Sequence, residues 1–230
     1  RLAEIEDELA ALAQYRERPA GTIRINATGH AAEYLAWPRL APLLQQYPDL
    51  NVELTADYAL ADIVAERYDI GIRLGERLAL DMVAVPISPP LRMRVVGAPS
   101  YFRQHAMPGH PQELAAHNCI TLRLPTHGGL MPWDFGQDGN ELSVRVSGQW
   151  TFNTMGMTRE AALAGSGLAW LPEDQVLALL EQGRLQSVLD DWCPSFDGYY
   201  AYYPSRRHVS VAMRTVLDAL RGPKIGRAHV

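Results

Sequence analysis

The chain has 230 residues, of which 47% are hydrophobic and 20% are charged, and these values are ordinary for a globular protein. Its formal net charge is −5 at pH 7, which makes the chain itself a poor binder of nucleic-acid phosphates. No apolar run approaches the roughly 18 residues that a membrane span needs, so we expect no membrane partner. With 2 cysteines, the chain lacks both a disulfide framework and a cysteine-rich zinc site.

The first residues show the hydrophobic spacing of a helix that pairs with another helix. Apolar side chains recur at intervals of three, four and three residues, which is the a/d stripe of a coiled coil, and acidic side chains lie between them. Pro19 and Gly21 then stop the helix. A surface helix packed on its own domain would show a similar stripe, and this alternative stays open. The stripe consists of Leu2, Ile5, Leu9 and Leu12.

The next part of the chain alternates between strand and helix patterns. The order is a strand over 20–28, a helix with an internal proline over 34–50, a strand over 51–56, a short amphipathic helix over 60–69 and a strand over 70–75. This order predicts a βαβαβ unit with parallel strands. The ligands of such sheets bind outside the carboxyl ends of the strands.

The remaining elements are predicted in the same way. The alternation of apolar residues with arginine near 91–97 suits a half-buried strand. The other elements predicted from the pattern are a strand over 144–153 and a helix over 157–166.

No residue pattern indicates a catalytic centre. Cys119 lies near His117, as a thiol nucleophile lies near its base, but Cys119 opens an apolar strand and is better explained as a small buried hydrophobe. The chain has no Gly-x-Ser-x-Gly, P-loop or Gly-x-Gly-x-x-Gly motif. We therefore expect no metal, no cofactor and no enzymatic reaction. Four histidines lie close in sequence without the spacing of metal ligands, namely His105, His110, His117 and His127.

The ends of the first and third predicted strands carry residues that could bind a ligand. The first strand finishes at Thr28, and the open backbone amides at Gly29 and His30 could hold a carboxylate, with two side chains adding donors. Thr28 could equally be only the cap of the following helix. At the end of the third strand Arg73, followed by Gly75, could clamp an anion or pair with a structural carboxylate.

A second strand-to-helix corner lies at 153–155, where capping of the helix is again the alternative to ligand binding. Residues 123–126, beginning with Arg123, follow the strand that opens at Cys119 and form the remaining edge of the predicted site. Residues 199–203 supply tyrosines, of which Tyr203 is the candidate pocket residue, while alternate ones would belong to the core.

Taken in order, these patterns resemble the effector-binding domain of LysR-type transcriptional regulators. In that family a Gly-x-Leu/Ile-Arg-Ile strand leads to a proline-containing helix, a Tyr-Pro turn and an Asp-(Val/Ile)-(Ala/Gly)-Ile-Arg-x-Gly strand. Each piece alone is a weak signal, but the ordered series is strong, and the resemblance extends over roughly residues 1–221. The matching residues of this first part are Gly21, Ile23, Arg24, Ile25, Pro38, Tyr47, Pro48, Asp69, Ile70, Gly71, Ile72, Arg73 and Gly75.

The resemblance implies an α/β fold of two Rossmann-like subdomains, of the type-2 periplasmic-binding-protein kind, joined by two crossover strands. Residues 1–19 would be the end of a dimerising coiled-coil linker helix. Residues 20–97 and 204–221 would form the first effector-binding subdomain, and residues 98–203 the second. Residues 222–230 are predicted to be a disordered tail. A small molecule would bind in the cleft between the subdomains.

The resemblance also implies that the chain senses a small effector, anionic from the candidate side chains, as part of a cytoplasmic DNA-binding regulator. It would self-associate as a dimer or tetramer, and DNA would be bound only through a winged helix-turn-helix domain outside residues 1–230. Two alternatives are an extracytoplasmic solute-binding protein of the same fold, against which the heptad stripe argues, and a small α/β enzyme. The predicted effector site comprises Thr28, Gly29, His30, Arg73, Gly75, Arg123, Asn153, Thr154, Met155 and Tyr203.

Overall fold

A computed structural model describes residues 18–57, 62–75, 81–124 and 128–222. The chain divides into two compact units. The first unit holds the described residues up to Asp57, those from 62 to Pro89 and those from Gly198 onward, and the second holds Pro90–Asp197. The predicted heptad stripe and residues 223–230 of the predicted tail lie outside the described residues.

The secondary structure is mixed. The strands, in chain order, are β1 (Gly21–Ala27), β2 (Leu50–Ala56), β3 (Ile70–Leu74), β4 (Met82–Pro86), β5 (Leu91–Gly97), β6 (Thr121–Leu122), β7 (Trp133–Gln137), β8 (Asn140–Val144), β9 (Thr151–Phe152), β10 (Ala169–Pro172), β11 (Gln186–Val188), β12 (Ser195–Phe196) and β13 (Tyr199–Pro204). The α-helices are α1 (Gly29–Ala31), α2 (Trp37–Gln46), α3 (Pro99–Phe102), α4 (Met155–Leu163), α5 (Glu173–Glu181) and α6 (Val211–Arg221). Two 3-10 helices cover Pro111–Ala116 and Asp190–Trp192. Within the described ranges, none of the helices has the length and apolar character of a membrane span.

The chain changes units earlier than the sequence suggested at both crossings. We predicted that the chain passes between the units near Gly97 and Pro204. It passes from the first unit to the second between Pro89 and Pro90, and returns between Asp197 and Gly198. Strand pairing is the reason. β5 pairs with β10, β11 and β12 of the second unit, while β13 pairs with β3 and β4 of the first. The predicted subdomain boundaries are therefore corrected: β5 belongs to the second unit and β13 to the first.

The first unit is built on a five-stranded sheet with the order β2-β1-β3-β13-β4. β1 is parallel to β2 and β3, while β13 is antiparallel to β3 and β4. β1 is a central strand, and Ile25, Asn26 and Ala27 are all buried in succession, as expected for a parallel strand covered on both faces. The amino end of β13 lies at the carboxyl edge of the parallel strands, because Tyr199 pairs with Leu74.

The predicted proline-containing helix forms one helical segment with a local change of winding. A π-helical turn, Ala32–Ala36, connects α1 to α2, and the Trp37 N–H donates to the Ala32 carbonyl five residues back. Pro38 and Pro42 follow in α2. Prolines have no N–H to contribute to a regular helical ladder, so a wider turn at this point is a physical consequence of the sequence.

Close packing between β3 and β13 depends on a glycine. The Tyr202 side chain lies directly against Gly71, and a Cβ at this position would overlap its ring atoms Cζ and Cε1 and its hydroxyl oxygen. The same tyrosine packs with Ile63 and Tyr68 in a small core cluster. A side chain larger than hydrogen at Gly71 would therefore displace part of the core.

The predicted helix over 60–69 is wrong for its described residues, because residues 63–67 form turns instead. The Asp62 carboxylate accepts two nearby backbone N–H groups at 3.1 Å each, which favours a tight turn. Arg67 has a φ of 60°, a left-handed conformation that stops a right-handed helix. The chain then enters β3 through Asp69, whose carboxylate accepts a backbone N–H of β1 at 2.7 Å.

The second unit contains an antiparallel sheet in which β5 pairs with β10, β11 and β12. β6 pairs in parallel with β9, and β7 and β8 form a hairpin whose turn residues, Asp138 and Gly139, both have positive φ. Val95 lies in one core cluster of this unit and the adjacent Val96 in another. The predicted alternation is confirmed, since Met93, Val95 and Gly97 are buried while Arg92 and Arg94 are half-buried, and Val96 adds burial on the other face at the end of β5.

The predicted continuous strand over 144–153 is wrong. β8 and β9 are separate strands, and residues 145–150 between them are irregular. Gly148 packs so closely on the Cys119 carbonyl oxygen that a Cβ would overlap it. This contact ties the connection to the segment before β6, while Val146 of the same connection packs in one core cluster with Trp133 and Phe135 of β7.

Candidate functional site

The carboxyl end of β1 leads directly into the amino end of α1. Thr28 caps this helix, since its backbone is extended and its Oγ1 accepts the Ala31 N–H at 3.3 Å. His30 lies in the first turn with 3% of its surface exposed. The capping role of Thr28 is confirmed, while an effector contact by Thr28, Gly29 and His30 stays a prediction.

Tyr199 brings a phenol group to this corner from the amino end of β13. The Thr28 hydroxyl donates to the Tyr199 oxygen at 3.3 Å, and His30 Nδ1 lies 2.9 Å from the same oxygen. The Tyr199 backbone N–H donates to Ser88 Oγ at 2.7 Å, which fixes the start of the strand. The His30 ring also stacks on Tyr34 with 5.3 Å between ring centroids. Thr28, His30 and Tyr199 therefore form one polar group, which we call the Thr28 cluster.

Arg73 lies near the end of β3, beside β1. Its Nη1 donates to the Asn26 carbonyl at 3.3 Å and to the carbonyl of the preceding residue at 2.8 Å, and its Nη2 bonds Asn26 Oδ1. Burial lowers the pKa of this guanidinium, and the neighbouring groups of Tyr202, Asp57 and Tyr199 oppose the shift. These contacts support a structural role for Arg73. Its partner is Asn26, whose backbone and side-chain oxygens accept from the guanidinium, and not the carboxylate that the sequence suggested. An effector contact of Arg73 stays a prediction.

Two other predicted site residues of the first unit lie at different distances from the Thr28 cluster: Gly75 is next to the start of β13, and Tyr203 is far along it. Gly75 has a φ of 72°, where glycine is favoured, and its N–H donates to the Gly198 carbonyl at 3.1 Å. Tyr203 pairs with Val83, roughly 13 Å along β13 from Tyr199 at about 3.3 Å per residue. Tyr199, and not Tyr203, reaches the Thr28 cluster. The direction of β13 could have identified Tyr199, because a strand antiparallel to β3 places its amino end at the carboxyl edge of the parallel strands.

The second predicted corner lies between β9 and α4. Thr154 caps α4, with its Oγ1 accepting the Met157 N–H at 3.4 Å, so capping is confirmed here too. Asn153 and Thr154 are exposed, while Met155 is half-buried and its sulfur accepts the Gln175 side-chain amide at 3.9 Å. Effector contact at this corner, and a ligand shared with the Thr28 cluster, stay predictions.

Arg123 lies at the edge of the second unit beside β9. Its backbone N–H donates to the Phe152 carbonyl at 2.7 Å, which continues the pairing of β6 with β9. Its guanidinium bonds the Gly128 carbonyl of the following loop. Residues 125–127, and with them Thr126, lie outside the described residues. Arg123 thus has a contact within its own loop, and its effector contact stays a prediction.

Comparison with known proteins identifies the family. Residues 16–222 match the model of the LysR substrate binding domain. The chain belongs to the LysR-type transcriptional regulators. A candidate transcriptional regulator of Pseudomonas aeruginosa PAO1 is 51% identical over 221 residues, which cover 96% of this chain and 72% of that protein. The HTH-type transcriptional regulator PgrR of Escherichia coli K12 is 40% identical over 220 residues, covering 96% of this chain and 74% of PgrR.

Solved structures share the fold of this LysR domain. CrgA, a LysR-type transcriptional regulator from Neisseria meningitidis, has a TM-score of 0.77 at 25% identity, over 96% of this chain and 73% of CrgA. The full-length Vibrio cholerae virulence activator AphB has a TM-score of 0.78 at 23% identity, over 96% of this chain and 76% of AphB. The predicted α/β fold is confirmed. The chain is the effector-binding domain of a LysR-type regulator, which decides against the solute-binding alternative.

Both cysteines of the LysR domain are buried. Cys119 is 0% exposed and Cys193 is 3% exposed, and burial raises the pKa of Cys119 to about 12 and that of Cys193 to about 11. His117 is hydrogen-bonded to Tyr101, and the Cys119 thiol contacts the Leu114 carbonyl at 3.7 Å. The interpretation of Cys119 as a buried hydrophobe is confirmed. Among the residues described, histidine, cysteine and acidic side chains form no group of three that could hold a metal ion.

Proposed function

We propose that this LysR domain binds a small anionic effector at the Thr28 cluster and catalyses no reaction. One observation supports the site above all. Three polar side chains, from the end of β1, the first turn of α1 and the start of β13, meet at the carboxyl edge of the parallel strands. Ligands of open α/β sheets bind at this edge.

Electrostatics favour an anion at this position. The first N–H groups of a helix carry a partial positive charge, and the segment from Gly29 to Gln46 begins at the Thr28 cluster. Arg73 adds a full positive charge on the neighbouring strand β3. A small carboxylate or phosphate matches this combination of donors. We also propose effector contacts for two parts of the second unit, Arg123 and residues 153–155, which we call the Thr154 corner.

NMR titration tests the proposed site. A 15N-labelled chain is titrated with acetate, benzoate and inorganic phosphate, and separately with acetamide and benzamide as neutral analogues of the two carboxylates. We expect an anion to shift the amide resonances of Gly29 and His30 more strongly than its neutral analogue, because the donors at a helix start favour negative charge. Anions that shift no resonance around the Thr28 cluster, or that shift only resonances elsewhere, would contradict the site.

We also infer that the regulator is cytoplasmic, self-associates as a dimer or tetramer, and contacts DNA through a helix-turn-helix domain outside residues 1–230. The helix-turn-helix named in PgrR and the heptad stripe that contains Ile5 and Leu9 support this inference. In sedimentation velocity at tens of micromolar, a range suited to micromolar interfaces, we expect association that weakens in the double variant Ile5→Asp/Leu9→Asp. A wild-type chain that is only monomeric would contradict it.

The chain of residues 1–230 is expected to show no sequence-specific affinity for duplex DNA, because its net charge is −5. A gel-shift assay at moderate salt measures this. Tight binding that depends on DNA sequence would show that the recognition surface lies in this domain.

A further inference from the structure

Three ring side chains of the second unit form a hydrogen-bonded group apart from the proposed effector site. The His105 ring lies parallel to the Tyr101 ring with 4.1 Å between centroids and an interplanar angle of 9°. His105 Nδ1 donates to the Tyr101 carbonyl at 3.0 Å, because a carbonyl oxygen can only accept. His117 Nδ1 lies 3.0 Å from the Tyr101 hydroxyl, and Tyr101 is 4% exposed.

The hydrogen bonds of the Tyr101 hydroxyl are coupled to the protonation state of His117. The Asn118 backbone N–H donates to this hydroxyl oxygen at 3.2 Å. His117 Nδ1, at 3.0 Å, is placed to accept the hydroxyl proton. The arrangement in which His117 Nδ1 accepts this proton needs a neutral imidazole with its own proton on Nε2, and burial, which lowers the pKa of His117, favours that form.

The titratable groups around His117 also favour its neutral form. Burial lowers the pKa of His117, the charge of His105 lowers it further, and the carboxylate of Glu113 in the adjacent 3-10 helix opposes both. Burial raises the pKa of Tyr101, its bond with the backbone N–H opposes this, and the nearby Cys119 thiol adds to the increase. Tyr101 therefore keeps its proton, and the imidazole is the group in this pair that responds to acid.

Asn118 connects these rings to the strand that carries the second corner. Its Oδ1 accepts the Gln149 backbone N–H at 2.9 Å, and its Nδ2 donates to the Ser166 carbonyl at 2.5 Å. Gly167 packs against the Asn118 carbonyl so closely that a Cβ would overlap it. Gln149 lies just before β9, and β9 ends just before Thr154. Asn118 thus holds Gln149 in place, and the segment from Gln149 through β9 leads to Thr154, the cap of α4.

We propose that Tyr101 and His117 are positioning residues for the Thr154 corner and that protonation of His117 weakens this support. Protonated Nδ1 is a donor, so the Tyr101 hydroxyl loses its acceptor inside a buried site, while its oxygen is approached by two donors. The bond to the Asn118 N–H weakens as a result, and the contact with Gln149 weakens with it. The consequence for ligand affinity rests on the proposed function, because the Thr154 corner is part of the proposed effector site.

Amide hydrogen exchange tests the proposal without any effector. Protection factors of the Asn118 and Gln149 amides, corrected for the intrinsic exchange rate, are measured between about pH 7.5 and about pH 5, the range in which histidine titrates. We expect both to fall by about tenfold with acid, the effect of losing roughly one hydrogen bond. The Ile120 amide, which donates to the Leu168 carbonyl at 2.8 Å, serves as the internal reference and should not change.

Three variants separate positioning from a general effect of acid. His117→Gln should abolish the pH dependence, and Tyr101→Phe should give low protection of Asn118 at both pH values. His110→Gln removes a histidine that packs on Trp192, at 4.6 Å between centroids, and should keep the wild-type profile. Retention of the pH dependence in His117→Gln, or a His117 ring proton on Nδ1 at neutral pH by 15N NMR, would overturn the proposal. Failure of anions to bind the Thr28 cluster, with the pH profile intact, refutes only the effector site.

Discussion

Gly71→Ala is a direct test of the packing between β3 and β13. An ideal Cβ at this position overlaps three atoms of the Tyr202 side chain, two of them in the ring. The ring has little room to move, because Tyr202 is 7% exposed and packs with Ile63 and Tyr68. Overpacking of this kind costs about 1–3 kcal/mol. The reduced entropy of the unfolded chain opposes this by about 0.4–1 kcal/mol. We therefore expect the free energy of unfolding to fall by about 0–2.6 kcal/mol, with a central value of about 1.3 kcal/mol.

Urea unfolding, with the m-value checked for constancy, measures this loss. Gly109→Ala is the matched control, because no atom lies within 4 Å of its Cβ position and only the effect on the unfolded chain remains. A double-mutant cycle identifies the cause. In a Tyr202→Ala background the space is open, so Gly71→Ala should cost less than about 0.5 kcal/mol. An equal cost in both backgrounds would refute the overlap with the ring as the origin of the effect.

Two further predictions concern polar and thiol side chains. Thr28→Ala and Ser210→Ala each remove a helix cap, so each should lower the free energy of unfolding by about 1 kcal/mol in urea. Only Thr28→Ala should also weaken binding of an anion at the Thr28 cluster, by about 0.5–1.5 kcal/mol in the NMR titration; equal affinities in the two variants would show that Thr28 is only a cap. Cys119 and Cys193 should not react with a disulfide reagent at pH 8 until urea unfolds the chain, because burial raises their pKa values to about 12 and about 11. Rapid labelling of the folded chain would contradict this.

The parallel strands of the first unit could be predicted because their signal is local. The apolar run around Ile25 and the Asp-Ile-Gly-Ile segment of β3 each carry their own pattern, and both strands lie within the predicted ranges. The residues around Arg67 could not be predicted, since their amphipathic spacing suits a helix and only the left-handed backbone and the contact of Asp69 with β1 select a turn. Contacts of this kind join residues that are distant in sequence.

Site residues at the end of a strand could be predicted from the sequence. Site residues whose position depends on how a distant strand pairs could not. Thr28 was identified because it stands between a strand and a helix. Tyr199 was missed in favour of Tyr203, because the direction of β13 relative to β3 is set by pairing that the sequence does not display. The break near Gly148 has the same origin, since its cause is a close approach to Cys119.

The position of β13 between β3 and β4 also constrains how the chain can be synthesised. Both neighbours leave the ribosome before Pro90, whereas β13 follows only after all of the second unit. During elongation β3 and β4 therefore have exposed edges that no local segment can fill, while the contiguous second unit can already fold. A chain that terminates before Gly198 would keep both edges open, and open edges recruit strands from other molecules. Chains truncated before Gly198 are thus expected to aggregate. The same strand that completes the sheet also carries Tyr199, so the Thr28 cluster forms only when β13 has paired.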